Sequence, residues 1–108
     1  MELAVFVPVA QVHQIPPGSA LAAPVGRYEV AVFHIEDGFY ALENCCPHQG
    51  GPLADGYLEG PMVTCPWHAW CFDVRSGKMS LGDLALVPRF EVKIEGETIL
   101  VATEPDNE

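Results

Sequence analysis

Two short motifs bring metal-ligating side chains together: Cys46-Pro47-His48 and Cys65-Pro66-Trp67-His68, separated by sixteen residues. Each supplies one thiolate and one imidazole on a tight turn, and each proline stiffens its turn so that less entropy is lost when the ligands converge. Two sulfurs and two nitrogens suit either zinc or an iron-sulfur centre. In a zinc finger, like ligands usually come in pairs that close on one tetrahedral ion. Here each motif mixes the two types. That mixture is what a binuclear centre with one sulfur-bound and one nitrogen-bound iron needs, because each segment then touches both metals and both segments are required to clamp it.

The elements that must position these motifs lie on either side of them. Residues 44–72 hold all four Cys, two of the four His, both Trp, four of the ten Gly and four of the ten Pro. A stretch so rich in Gly and Pro cannot form a core from its own apolar content, so a bound group is expected to help hold it. Before it, residues 2–7 and 27–35 (RYEVAVFHI) read as strands, the second turning at Glu36-Asp37-Gly38 into a strand over 39–43. After it, residues 89–95 alternate, with Phe90, Val92 and Ile94 on one face, and turn at Glu95-Gly96-Glu97 into a strand over 98–102. The acidic end, 103–108, is expected to fray. The layout implied is one all-β domain over 1–108, with a base from 1–43 and 73–108 carrying a ligand-binding subdomain over 44–72.

Composition narrows the function. The chain has 108 residues, 49% hydrophobic and 19% charged, with a net charge of −10. This composition is globular, and ten Gly plus ten Pro disfavour long helices. Such an acidic surface repels phosphate backbones and anionic lipid, so neither nucleic acid nor a membrane is expected as a partner, whereas a basic protein is favoured. The opening Met1 to Pro8 lacks a basic n-region and falls far short of a membrane span, which points to a cytoplasmic protein. Four cysteines confined to 45–71, two of them adjacent, suggest metal binding in a reducing compartment rather than disulfides.

The double motif, Cys46-Pro47-His48-Gln49-Gly50-Gly51-Pro52-Leu53 with Cys65-Pro66-Trp67-His68-Ala69-Trp70, resembles the Rieske family, in which two His replace two Cys on one iron of a 2Fe-2S cluster. The resemblance implies an all-β, Rieske-type fold of stacked antiparallel sheets with a small cluster-binding subdomain. It implies Cys46 and Cys65 on the buried iron, and His48 and His68 on the outer iron with imidazole edges exposed for electron exit. Where the respiratory members carry a disulfide across the cluster, this chain has Gly51 and Trp67. Where they carry Ser and Tyr hydroxyls, it has Trp70 and Phe72. Fewer hydrogen bonds and a charge of −10 both disfavour an added electron, so a potential near the lower end of the Rieske range of about −150 to +300 mV is expected. That is similar to the ferredoxins of bacterial ring-hydroxylating dioxygenase systems. The function implied is a soluble one-electron carrier between a flavin-dependent reductase and a terminal oxygenase, not itself an enzyme. Two alternatives are a cluster-bearing small subunit of an NAD(P)H-dependent nitrite reductase and a structural zinc module. The family often covers the cluster with a proline-bearing loop, and the matching residues Gly82-Asp83-Leu84-Ala85 have no proline.

Cys45 stands at Cys-x-x-His spacing from His48, but the family pattern favours Cys46. Cys45 and Cys71 read as small buried groups or spare thiols. His34 is expected as a half-buried side chain on a strand and His13 as a loop residue. Trp67 and Trp70 read as packing of the second motif against the base rather than as docking contacts. Gly50-Gly51 would let the backbone approach the cluster, and Asp37, Asp55 and Asp73 read as turn formers.

Overall fold

In the computed structural model, residues 5–45, 51–66, 70–79 and 86–106 are described. Among the described residues, ten strands form three antiparallel sheets. They are β1 (Phe6–Gln11), β2 (Ala20–Val25), β3 (Tyr28–Ile35), β4 (Gly38–Glu43), β5 (Tyr57–Glu59), β6 (Met62–Thr64), β7 (Cys71–Asp73), β8 (Arg89–Phe90), β9 (Val92–Glu95) and β10 (Thr98–Ala102). The sheet orders are β1-β10-β9, β2-β3-β4-β8 and β5-β6-β7. This is the all-β architecture of stacked antiparallel sheets that the sequence predicts.

The apolar run of β3 has a direct reason. Val30 and Val32 join Ile15, Val25, Ala41, Phe90, Ile99 and Val101 in one core. Ala31, Phe33 and Ile35 point to the opposite face and join Leu42, Leu53, Val63, Cys65, Phe72, Val74 and Val87 in another. A strand buried on both faces loses the apolar-polar alternation of a surface strand. At about 1.5–3 kcal/mol for each fully buried large apolar side chain, these two cores are the main stabilising contribution.

Several strand expectations shift. The first strand runs over Phe6–Gln11 rather than 2–7, of which 1–4 lie outside the described residues; Pro8 is tolerated because β1 is an edge strand with an irregularity between Pro8 and Ala10. The strand β2, Ala-Leu-Ala-Ala-Pro-Val, was not expected, since Ala and Pro give a weak signal, and it too is an edge. The single strand expected over 89–95 divides at Glu91 into β8 and β9, which belong to different sheets. The alternation therefore stops predicting burial: Phe90 is 1% exposed but Ile94 is 45% exposed. Nor does the acidic end fray before Asp106, whose N–H donates to the Arg89 carbonyl and whose carboxylate pairs with the Arg89 guanidinium at 2.7 Å. Residues 107–108, and the proline-free stretch 82–85, lie outside the described residues.

Two details of the third sheet have measurable consequences. Gly56 follows the one-turn 3-10 helix Leu53–Asp55, and a Cβ there would overlap the Thr64 carbonyl oxygen and stand 3.2 Å from that of Leu53. Space rather than backbone angle demands glycine. Gly56→Ala is expected to destabilise by about 1–3 kcal/mol in urea unfolding, and a change below about 0.5 kcal/mol would refute the close approach.

At the end of β7, Asp73 accepts from the Arg75 backbone N–H at 2.8 Å and pairs with its guanidinium at 3.0 Å. The Arg75 side chain, the largest influence, holds the Asp73 carboxyl below its usual range. The folded state thus favours the carboxylate, and the resulting stabilisation is present above the unfolded value, about pH 4, and lost as pH falls through the lower folded value. Asp73→Asn should cost less than about 1 kcal/mol at pH 7 and leave a shallower acid loss of stability. Identical urea midpoints for parent and variant at pH 7, with equal decline toward pH 3, would contradict this.

Candidate metal centre

The second motif grows out of the β6-β7 hairpin. Thr64 and Cys71 form the last ladder pair, and one further bond, from the Cys65 N–H to the Trp70 carbonyl at 2.7 Å, extends the pairing. Cys65 is 1% exposed within the core that contains Leu53, Val63 and Phe72. Its thiol is therefore held at the end of a short hairpin, on an apolar floor. His68, by sequence, falls between the two residues of that last bond, and it lies outside the described residues with Trp67 and Ala69.

The first motif leaves from β4. Cys46 and His48 lie outside the described residues, but the chain on either side is clear. Asn44 and Cys45 follow β4, and the stretch re-enters through buried Gly51 and the turn Leu53–Asp55. Leu53 is fully buried in the core that contains Cys65. Residues flanking the two motifs thus share one apolar core.

Among the described residues, no three His, Cys, Asp or Glu side chains converge as a metal site. Of the four expected ligands only Cys65 is described, and it suits an iron-sulfur group. A bare thiolate on an apolar floor is costly, whereas a metal-bound thiolate shares its charge. No disulfide joins Cys45, Cys65 and Cys71. Of the two expected readings, a small buried group or a spare thiol, Cys45 departs from the first in being exposed as a residue; even so, partial burial of its thiol is the largest cause raising its pKa, followed by the charges of Glu43 and Cys65. At neutral pH it is held as a thiol. Half-buried Cys71 lies 3.2 Å from the Thr64 hydroxyl.

The remaining singled-out residues have structural places. Half-buried His34 donates Nδ1–H to the Ile15 carbonyl at 2.6 Å and stacks on Phe39. His13 is exposed, in a one-turn 3-10 helix rather than a loop. Trp70 packs against the core around Cys65, as expected of a packing residue. Sequence reasoning missed Asn44, whose only signal is a polar amide at the end of a strand, and Gly56, whose signal is a glycine after a helical turn.

The family model for the Rieske [2Fe-2S] domain matches residues 5–91. The ferredoxin component of the naphthalene 1,2-dioxygenase system of Pseudomonas aeruginosa is 31% identical over 97 residues, covering 89% of this chain and 93% of the relative. A chain in the complex of reduced oxygenase and oxidized ferredoxin in carbazole 1,9a-dioxygenase superposes with a TM-score of 0.88 at 30% identity, covering 98% of this chain and 100% of that one. A putative NADH-dependent nitrite reductase small subunit from Mycobacterium tuberculosis gives a TM-score of 0.86 at 21% identity over 94% of this chain and 96% of that one, a likeness of fold alone. A core that holds Cys65 together with Leu53 and Phe72, the two Cys/His motifs, and the family match over residues 5–91 agree: the chain belongs to the Rieske [2Fe-2S] domain family.

Proposed function

We propose that this protein is the ferredoxin component of a ring-hydroxylating dioxygenase-type system, a carrier that receives electrons from a flavin-dependent reductase and delivers them to a terminal oxygenase in the cytoplasm. Cys46, His48, Cys65 and His68 would hold the cluster, within a subdomain over 44–72 on a base of 1–43 and 73–108. When bound, a [2Fe-2S] cluster takes up and gives back one electron. The observation that carries this reading is the single core joining Leu53, after the first motif, to Cys65, at the start of the second. Segments seated on one core can grip one group between them.

The chain's own residues shape that role. Cys65 supplies a thiolate from a dry position, with its backbone pinned to Trp70. Phe72 is fully buried and brings no hydroxyl, and Trp70 brings only an indole N–H. Together with a net charge of −10, this supports a potential near the lower end of the family's range. The same charge favours a basic partner surface over nucleic acid or lipid. Among the described residues no helix is long and apolar enough to cross a membrane. The nitrite reductase reading has only fold likeness behind it.

Three experiments test this reading. Anaerobically prepared protein should contain iron and acid-labile sulfide and bind a dioxygenase oxygenase component more tightly at low salt; colourless protein holding zinc would sink the reading. Cys46→Ser should abolish the cluster while Cys45→Ser spares it, as measured by iron content. In any His48→Cys or His68→Cys variant that still loads, an anionic thiolate replaces a neutral nitrogen, so the midpoint potential should fall. An unchanged potential would exclude that histidine as a ligand.

A further inference from the structure

The 3-10 turn Leu53–Asp55 begins without a cap of its own: Pro52 precedes it and makes no side-chain capping bond. Helical turns begin with N–H groups that have no partner inside the turn, and a nearby side-chain oxygen usually satisfies them. Here the oxygen comes from ten residues away. The Asn44 side-chain carbonyl accepts from the Ala54 N–H at 2.7 Å. The other end of the amide donates to the Glu29 carboxylate at 3.2 Å, and the Asn44 backbone N–H donates to the Glu29 carbonyl at 2.8 Å. Asn44 is 8% exposed and is the one buried polar side chain among the described residues. Its amide therefore links three points: the first residues of β3, the end of β4 and the turn that follows the first motif.

We propose that Asn44 is a positioning residue for the cluster, its side-chain amide tying the two ends of the stretch that contains Cys46 and His48 to each other and to β3. The inference deepens the carrier reading and rests on it. A ligand-bearing stretch whose ends are fixed in the apo chain loses less freedom when its ligands bind, so the bound group is released more slowly. Both halves of the amide are required. The oxygen caps Ala54, and the nitrogen fixes the orientation that aims the oxygen there. Aspartate at this position keeps an acceptor but sets a second carboxylate against Glu29; glutamine at position 29 then restores a donor facing it.

The experiment uses the loaded full-length chain, following cluster loss by bleaching of the visible absorption in excess iron chelator, with visible circular dichroism as the signature of cluster surroundings. Asn44→Ala removes both side-chain hydrogen bonds and takes the acceptor from the Ala54 N–H; it should bleach about tenfold faster than the parent and change the dichroism. The double variant Asn44→Asp with Glu29→Gln should return to within about twofold of the parental rate, and to its spectrum, by re-forming both contacts. Val101→Ala, in the other core, should lower the thermal midpoint yet bleach at the parental rate. The proposal is overturned if Asn44→Ala matches the parent, if the folded double variant bleaches as fast as Asn44→Ala, or if Val101→Ala bleaches equally fast. Should Asn44→Ala not load at all, the double variant decides alone. A parent without iron and sulfide would instead overturn the carrier reading itself.

Discussion

One strand pair, β3 and β4, is packed on both faces, and the rest of the molecule is arranged around that constraint. Val30, Val32 and Ala41 face the β1-β10-β9 sheet, while Ala31, Phe33, Ile35 and Leu42 face the third sheet. A two-faced strand cannot slip register, because a one-residue shift would exchange the two cores. The pairing from Val30↔Glu43 to Ile35↔Gly38 is thereby fixed. Since β4 leads into the first motif, that register also sets where the stretch bearing Cys46 and His48 departs.

The third sheet is too small to stand alone. Its strands have three residues each, and a sheet of that size needs other elements to bury its apolar face. Val63 and Phe72 find that surface on β3 and β4. Cys65, one residue beyond β6, inherits the rigidity of both the ladder and the core. As the ligand proposed above, it would need little reorganisation when the charge of a bound group changes, which suits the proposed carrier. Hydrogen bonds to Thr64 and Trp70 fix the hairpin without placing a charged group on the apolar floor.

What could be read in advance divides along physical lines. The family was legible because the Cys/His motifs fix both residue type and spacing. Strands β3, β4 and β10 were legible because β-branched and aromatic runs ended at turn glycines, with Gly38 and Gly96 both at positive φ. Strand β2 was hidden because an edge strand of Ala and Pro is held by its neighbour rather than by its own propensity. The break at Glu91 was hidden because alternation reports a face but not which sheet the face belongs to. Asn44 and Asp106 act through partners 10 and 17 residues distant, which local pattern cannot reveal. Ligand identity is thus encoded locally, whereas the support that holds a ligand in place is a property of the tertiary structure.

The electrostatics follow the same separation. Among the described residues, Arg75 is engaged with Asp73, Arg89 with Asp106, Lys93 with the Phe6 ring and Arg27 with the Tyr28 ring. Local pairing leaves the net charge at −10, so the long-range field remains negative. That field has two effects of the same sign. It would disfavour arrival of an electron at the proposed cluster, and it favours a basic surface as partner. At physiological ionic strength the field decays over about 8 Å, so only a partner already near contact feels the individual carboxylates. The low potential proposed above would favour onward donation, and the charge favours encounter with a basic surface. Both depend on carboxylates spread over the sheets rather than on any one residue, whereas the grip on the cluster depends on a few side chains placed by the cores.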